Sequence, residues 1–161
     1  MHTRPYRFYL VIALILLLGS GCNRNVAFEN YTTIPEGGWH QNSPAIFQFE
    51  IMDTLNTYDL QFHIRHHIDY SYRNLWVFAT IDYPDGQTTR DTIEFLIADN
   101  QGYWFGKGVG KIKENHILLS RHIRFDQPGA YTFSFQQAMR EKDMILEHIQ
   151  DIGLSVVRNN E

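Results

Sequence analysis

Cysteine is almost missing from this chain: among 161 residues there is one, Cys22. A lone thiol excludes an internal disulfide and a cysteine-based metal site, so packing alone must hold the fold together. Long apolar runs are missing as well. The longest, residues 8–18, would cover only about half of a 30 Å hydrocarbon core as a helix rising roughly 1.5 Å per residue, which is too short to span. No internal repeat and no low-complexity tract divides the rest, and the length suits one domain with a core large enough to need no staple.

The short apolar run acquires a meaning from its flanks. Arg4 and Arg7 precede it and Gly19-Ser20-Gly21 follow it, the charged, apolar and small-residue regions of a secretory signal peptide. A cysteine directly after the small residues resembles the lipobox of bacterial lipoproteins, in which the thiol is alkylated by diacylglycerol and becomes the first mature residue. The usual pattern has Leu three places before the cysteine, where this chain has Gly19, with Leu18 one place further back. Removal of the leader takes two of the 14 lysines and arginines and leaves 12 against 18 acids, a formal charge of −6. A surface of that sign offers no footprint for nucleic acid or anionic lipid.

Beyond Cys22 the chain alternates. In "AIFQFEI" Phe47, Phe49 and Ile51 share one face; in "YDLQFHI" Leu60, Phe62 and Ile64 do the same. "NLWVFATIDY" sets Leu75, Val77, Ala79 and Ile81 on one side but adds Trp76 and Phe78 on the other, as expected of a central or half-covered strand. Pro84-Asp85-Gly86 marks a hairpin into "TTRDTIEFLIA", "ENHILLSRHIRF" reads as an interrupted strand, and "AYTFSFQ" points Tyr131, Phe133 and Phe135 inward. Only "QQAMREKDMILEHIQ" breaks the period of two, its Met139, Ile145 and Ile149 suggesting a short helix, before a last strand in "DIGLSVVR". Seven or eight strands at roughly ten-residue spacing predict an all-β antiparallel sandwich, immunoglobulin-like or jelly-roll-like. In "DQPGAYTF", Tyr131 resembles a tyrosine corner, whose hydroxyl bonds to backbone just upstream. The expected division is a leader over 1–21, an acylated N-terminus and tether over 22–30, and one sandwich domain over 31–161.

These segments in this order, "IPEGGWH", "IRHHIDYSYRNLWVFATIDYPDG", "DTIEFLIAD", "GYWFGKGVGKI", "RFDQPGAYTFSFQQAMR" and "DIGL", resemble the gliding motility lipoprotein GldH family of Bacteroidota. The resemblance implies a membrane-anchored, non-enzymatic component of the cell envelope, with partners in the gliding and type IX secretion machinery; no cofactor is expected. It brings no catalytic residues with it.

Motifs that suggest other chemistry fail on spacing. His63 and His67 of "HIRHH" lie about 13 Å apart on one face of a strand while His66 points the other way, so three imidazoles cannot converge on one metal ion; the histidines and Arg65 are expected on a solvated or partner-facing side, with His66 near the interior. "GKGVGK" lacks the first glycine of a phosphate loop, since Phe105 stands there, and its alternate glycines suit a bulge or a close backbone approach. No nucleophile elbow occurs after the leader, and spacing cannot select a glycosidase pair from 18 acids. The aromatic residues remain. Arg65, Asp69, Tyr70, Tyr72, Asn74 and Trp76 are the candidate partner-binding set, because Tyr, Trp and Arg dominate interface hot spots. The alternative is a glycan-binding lipoprotein with Trp39, Tyr103 and Trp104 as an aromatic platform.

Overall fold

The computed structural model describes residues 25–159, so Cys22 and the leader lie outside the described residues. Its strands are β1 (Val26–Thr33), β2 (Trp39–His40), β3 (Ala45–Ile51), β4 (Thr57–His67), β5 (Asn74–Asp82), β6 (Thr88–Leu96), β7 (Ile112–Ile123), β8 (Gly129–Gln137), β9 (Ile145–Leu146) and β10 (Ile149–Asn159). Two antiparallel four-stranded sheets run β1-β10-β4-β7 and β3-β8-β5-β6, and β2 pairs with β9 beside them. Among the eight long strands the first pairs with the last, β3 with β8, β4 with β7, and β5 with β6. Such a nested hairpin, rolled so that successive pairs fall in alternate sheets, is a jelly roll, and that settles which of the two expected sandwiches the chain adopts.

The alternating residues do what their period demands. Phe47, Phe49 and Ile51, Leu60, Phe62 and Ile64, Leu75 and Val77, and Tyr131, Phe133 and Phe135 all enter the core from facing sheets. Phe62 is its centre, stacked on Phe95 at 4.4 Å and tilted against Phe135 at 4.9 Å. One end of the sandwich is closed by Tyr58, Phe125 and Tyr131, and the other by His66, Tyr70 and Trp104. The tyrosine corner is present, with the Tyr131 hydroxyl donating to the Gln127 carbonyl at 2.7 Å.

Three expectations are corrected. Residues 26–30, expected in the tether, are strand: they form the first part of β1, paired to β10. The short helix expected in 136–150 does not form, because Met144 and His148 sit at φ of 59° and 68°, outside the right-handed helical region. The Gln137 amide fixes that loop instead, donating to the Met144 carbonyl at 3.1 Å and accepting the Met139 N–H at 2.9 Å. The third concerns His63, which is only 1% exposed although it points away from the core.

Candidate functional site

The inward turn of Leu75 and Val77 forces Asn74, Trp76 and Phe78 onto the outer face of the β3-β8-β5-β6 sheet. Trp76 is 38% exposed and Tyr72, just before β5, is 37% exposed. Both border a shallow groove of about 610 Å³ whose other walls are Asn74, Phe78, Thr92, Ala138, Met139 and Arg140. Local bonds hold the groove in shape. Met139 sulfur accepts the Trp76 N–H at 3.3 Å and the Trp76 carbonyl accepts Ala138 N–H at 2.8 Å, while the Glu141 carboxylate raises the pKa of the Tyr72 hydroxyl. The Asn74 amide donates to Glu94 at 2.6 Å, while the Arg90 guanidinium lies 4.5 Å from the centre of the Phe78 ring and donates to Gln136.

Not every predicted contact residue reaches this face. Tyr70 is buried, its ring packed on His66 and Trp104 and its hydroxyl donating to the Asn74 carbonyl at 2.9 Å. Burial raises that hydroxyl's pKa, so Tyr70 stays neutral and serves as a plug that positions the turn carrying Tyr72. Asp69 is exposed beside it and meets the His67 imidazole at 3.0 Å. Arg65 belongs to the opposite sheet altogether, on the outer face of β4. Its guanidinium sits 3.3 Å from Glu114 and 3.7 Å from Asp151, with the Tyr31 ring 5.0 Å away. Burial alone would raise the Glu114 carboxyl, but the hydrogen bond and charge of Arg65 outweigh it and hold it below the usual range. Burial, aided by Glu114, pushes the Tyr31 hydroxyl up to about 12.

His63 lies in that same outer layer. Tyr31 and His116 cover it, with ring centres at 5.4 Å and 4.4 Å, and its Nε2 meets the Ser155 hydroxyl at 2.9 Å. Its Nδ1 has no partner, so the neutral tautomer with the proton on Nε2 leaves only a lone pair unsatisfied. Burial first, and then neighbouring His116, lower its pKa to about 4.

The expected aromatic platform does not assemble. Trp39 is buried with its indole N–H on the Ser43 carbonyl at 2.8 Å, and Trp104 packs edge-on to His66 at 4.5 Å. Tyr103 alone stands out, 73% exposed on a turn held by Asp99. Two of the glycines of residues 106–110 do serve a close approach: a Cβ on Gly106 would meet the Asn115 amide at 2.7 Å and the Glu114 carbonyl at 2.9 Å, and one on Gly108 would strike the Ile112 carbonyl, whereas Gly110 has open space beside it. Sequence reasoning missed Thr92, Met139 and Arg140 as wall residues, the last two because their segment looked helical; the apolar pair Trp76 and Phe78 on the second face of β5 was the visible sign of this surface.

Residues 26–156 match the sequence profile of the family described as GldH lipoprotein. The chain is 32% identical over 155 residues to a gliding motility lipoprotein GldH homolog of Christiangramia forsetii, covering 93% of this chain and 94% of the relative. It is 30% identical over 152 residues to the gliding motility lipoprotein GldH of Flavobacterium johnsoniae, covering 91% of this chain and 92% of that one.

Proposed function

The chain belongs to the GldH lipoprotein family, and from that premise we propose that it is a lipid-anchored, non-enzymatic envelope protein that works by protein contact within the gliding motility and type IX secretion machinery. Cys22 is the lipid attachment point in this reading. The observation that carries the contact role is the outer face of the β3-β8-β5-β6 sheet, where Trp76 and Tyr72 stand more than a third exposed beside Met139 and Arg140. Those residue types bury much area for little lost freedom and are enriched where proteins meet. Neither Trp76 nor Tyr72 is among the buried residues that close the core.

The test is capture of envelope proteins from solubilised membranes by the tagged full-length chain. Trp76→Ala and Tyr72→Ala should each lower recovery of the co-purifying proteins by more than about tenfold, the size expected of a hot spot, with an unchanged melting temperature. Unaltered recovery from both variants would overturn the assignment of this face. Arg65→Glu should behave differently: it sets a third carboxylate between Glu114 and Asp151, so stability falls whether or not a partner is present.

A further inference from the structure

The β3-β8-β5-β6 sheet ends at β6, which pairs with β5 and with no other strand among those described. Open edges invite pairing, and proteins ordinarily blunt them with bulges, prolines, lysines or covering loops. The other edges here carry such features. Residue 107 exchanges backbone hydrogen bonds with Glu114 at 2.9 and 2.8 Å and so covers part of the β7 edge. The pairing of β1 slips between Val26 and Phe28, and β3 starts directly after Pro44. By contrast β6 is nine residues long, "TTRDTIEFL", with no proline, no lysine and an unbroken register.

The direction of its free backbone groups follows from the ladder. Tyr83 N–H bonds to the Gln87 carbonyl at one end and Ile97 N–H to the Arg73 carbonyl at the other, each at 2.9 Å. With the register constant between them, odd-numbered residues of β6 bond to β5, and Thr88, Arg90, Thr92, Glu94 and Leu96 turn their N–H and C=O groups outward. The side chains of those residues lie on the outer face.

We propose that β6 pairs antiparallel with β6 of a second copy of this chain about a two-fold axis at Thr92, joining two sheets into one. In this register Thr92 faces Thr92, and each Arg90 lies directly opposite the Glu94 of the other copy. Directly opposed side chains on one face sit about 4.5–5.5 Å apart at Cβ, close enough for a charge pair or a Thr–Thr contact. Every one of these facing pairs has outward backbone groups, so each exchanges two hydrogen bonds. Shifting the axis to Arg90 or to Glu94 sets like charges against each other, and an axis at Asp91 opposes two carboxylates. With the axis at Thr92 the exposed Asp91 faces Ile93 instead. The self-complementary order of one basic and one acidic residue, two places either side of Thr92 on an edge without bulge, proline or lysine, is what selects a second copy as the occupant; two-fold pairing is the commonest form of self-association.

The experiment is oxidative cross-linking of the lipid-anchored chain in native membranes, with wild type, whose Cys22 sulfur is alkylated in the reading above, as the background. Thr92→Cys should give a disulfide-linked species of twice the chain's mass, since opposed Cα atoms in a hydrogen-bonded pair are about 5.5 Å apart and suit a disulfide. Thr88→Cys should not, because the two copies of that position lie about 27 Å apart in this register, whereas Thr88→Cys with Leu96→Cys should. Arg90→Glu should lower the yield from Thr92→Cys at least tenfold, and adding Glu94→Arg should restore it. Tyr72→Ala, at a position that precedes β5 and has no partner on β6 in the ladder, should leave the yield unchanged, which separates this pairing from the partner capture proposed above. The proposal is overturned if Thr92→Cys cross-links no better than Thr88→Cys, if the linked species contains a different protein, or if the charge swap fails to restore the yield.

Discussion

Tyr131 and His63 are both polar residues with almost no exposed surface, and their surroundings give them opposite sensitivities. The Tyr131 hydroxyl has one clear partner, the Gln127 carbonyl, and its ring packs on Phe125 and Phe49. Tyr131→Phe should therefore cost about 1 kcal/mol and Tyr131→Ala about 3–5 kcal/mol in denaturant titration, the second figure reflecting a cavity as well as a lost bond. For His63 the prediction is one of pH. Its pKa is about 4 in the folded chain against an ordinary 6.5, so the unfolded state holds more protons between these values and stability rises with pH across that window. Buried His66, lowered chiefly by desolvation, acts in the same sense. Melting temperature should be flat above pH 7, fall as pH drops from 6.5 towards 4, and lose part of that slope in His63→Gln; the His63 contribution is about 3 kcal/mol. The same slope in wild type and variant would mean that His63 is not what resists protonation. Tyr131 was legible because its corner is built from neighbours in sequence. His63 was not, because a period of two tells which side a residue takes and nothing about what lies over it: its cover comes from β1 and β7.

At the scale of elements, the strands that the sequence makes plain are those with one wet face. β3, β4 and β8 alternate cleanly along their apolar halves, and their core residues were readable one by one. β10 has a different character, with residues from Asp151 to Val156 buried on both sides, because it is interior to its sheet and its outer face lies under Tyr31 and the Arg65 network. Gly153 makes that cover possible. A Cβ there would stand 2.7 Å from two atoms of the Tyr31 ring and 3.1 Å from the His63 Cβ. Gly153→Ala should destabilise by about 1–3 kcal/mol through overpacking, and Tyr31→Ala in the same chain should cost less than the two changes sum to, since it removes what the new methyl strikes. Full additivity in a double-mutant cycle would show that the ring does not rest on Gly153. The failed helix between β8 and β10 has the complementary cause: Met139, Ile145 and Ile149 have a helix-like spacing, but the side chain of Gln137 and two left-handed residues dictate the path there, and neither leaves a periodic trace.

For the whole molecule, the sandwich class was legible in the number and spacing of strands, while the choice of jelly roll was not, since it depends on which distant strands meet. The candidate surface was half legible for the same reason: Tyr72, Asn74 and Trp76 are close in sequence and meet on one face, whereas Arg65, just upstream, crosses to the other sheet. The anchor can be tested at this scale. Cys22→Ala should move the chain from membranes to the soluble fraction in high salt, because stable anchoring requires acyl chains contributing roughly 0.8 kcal/mol per buried CH₂; full retention would mean that another attachment exists. The pairing of the first strand with the last has a bearing on export. β10 lies between β1 and β4, so a chain delivered across a membrane N-terminus first holds two strands apart, waiting for a neighbour that arrives at the end. It stays threadable until nearly all of it has emerged, then closes its sheet in one late step dominated by long-range contacts. A ribosome that stops before Ile149 yields not a slightly shorter domain but a lone β1 and a β4-β7 pair with a gap where β10 belongs.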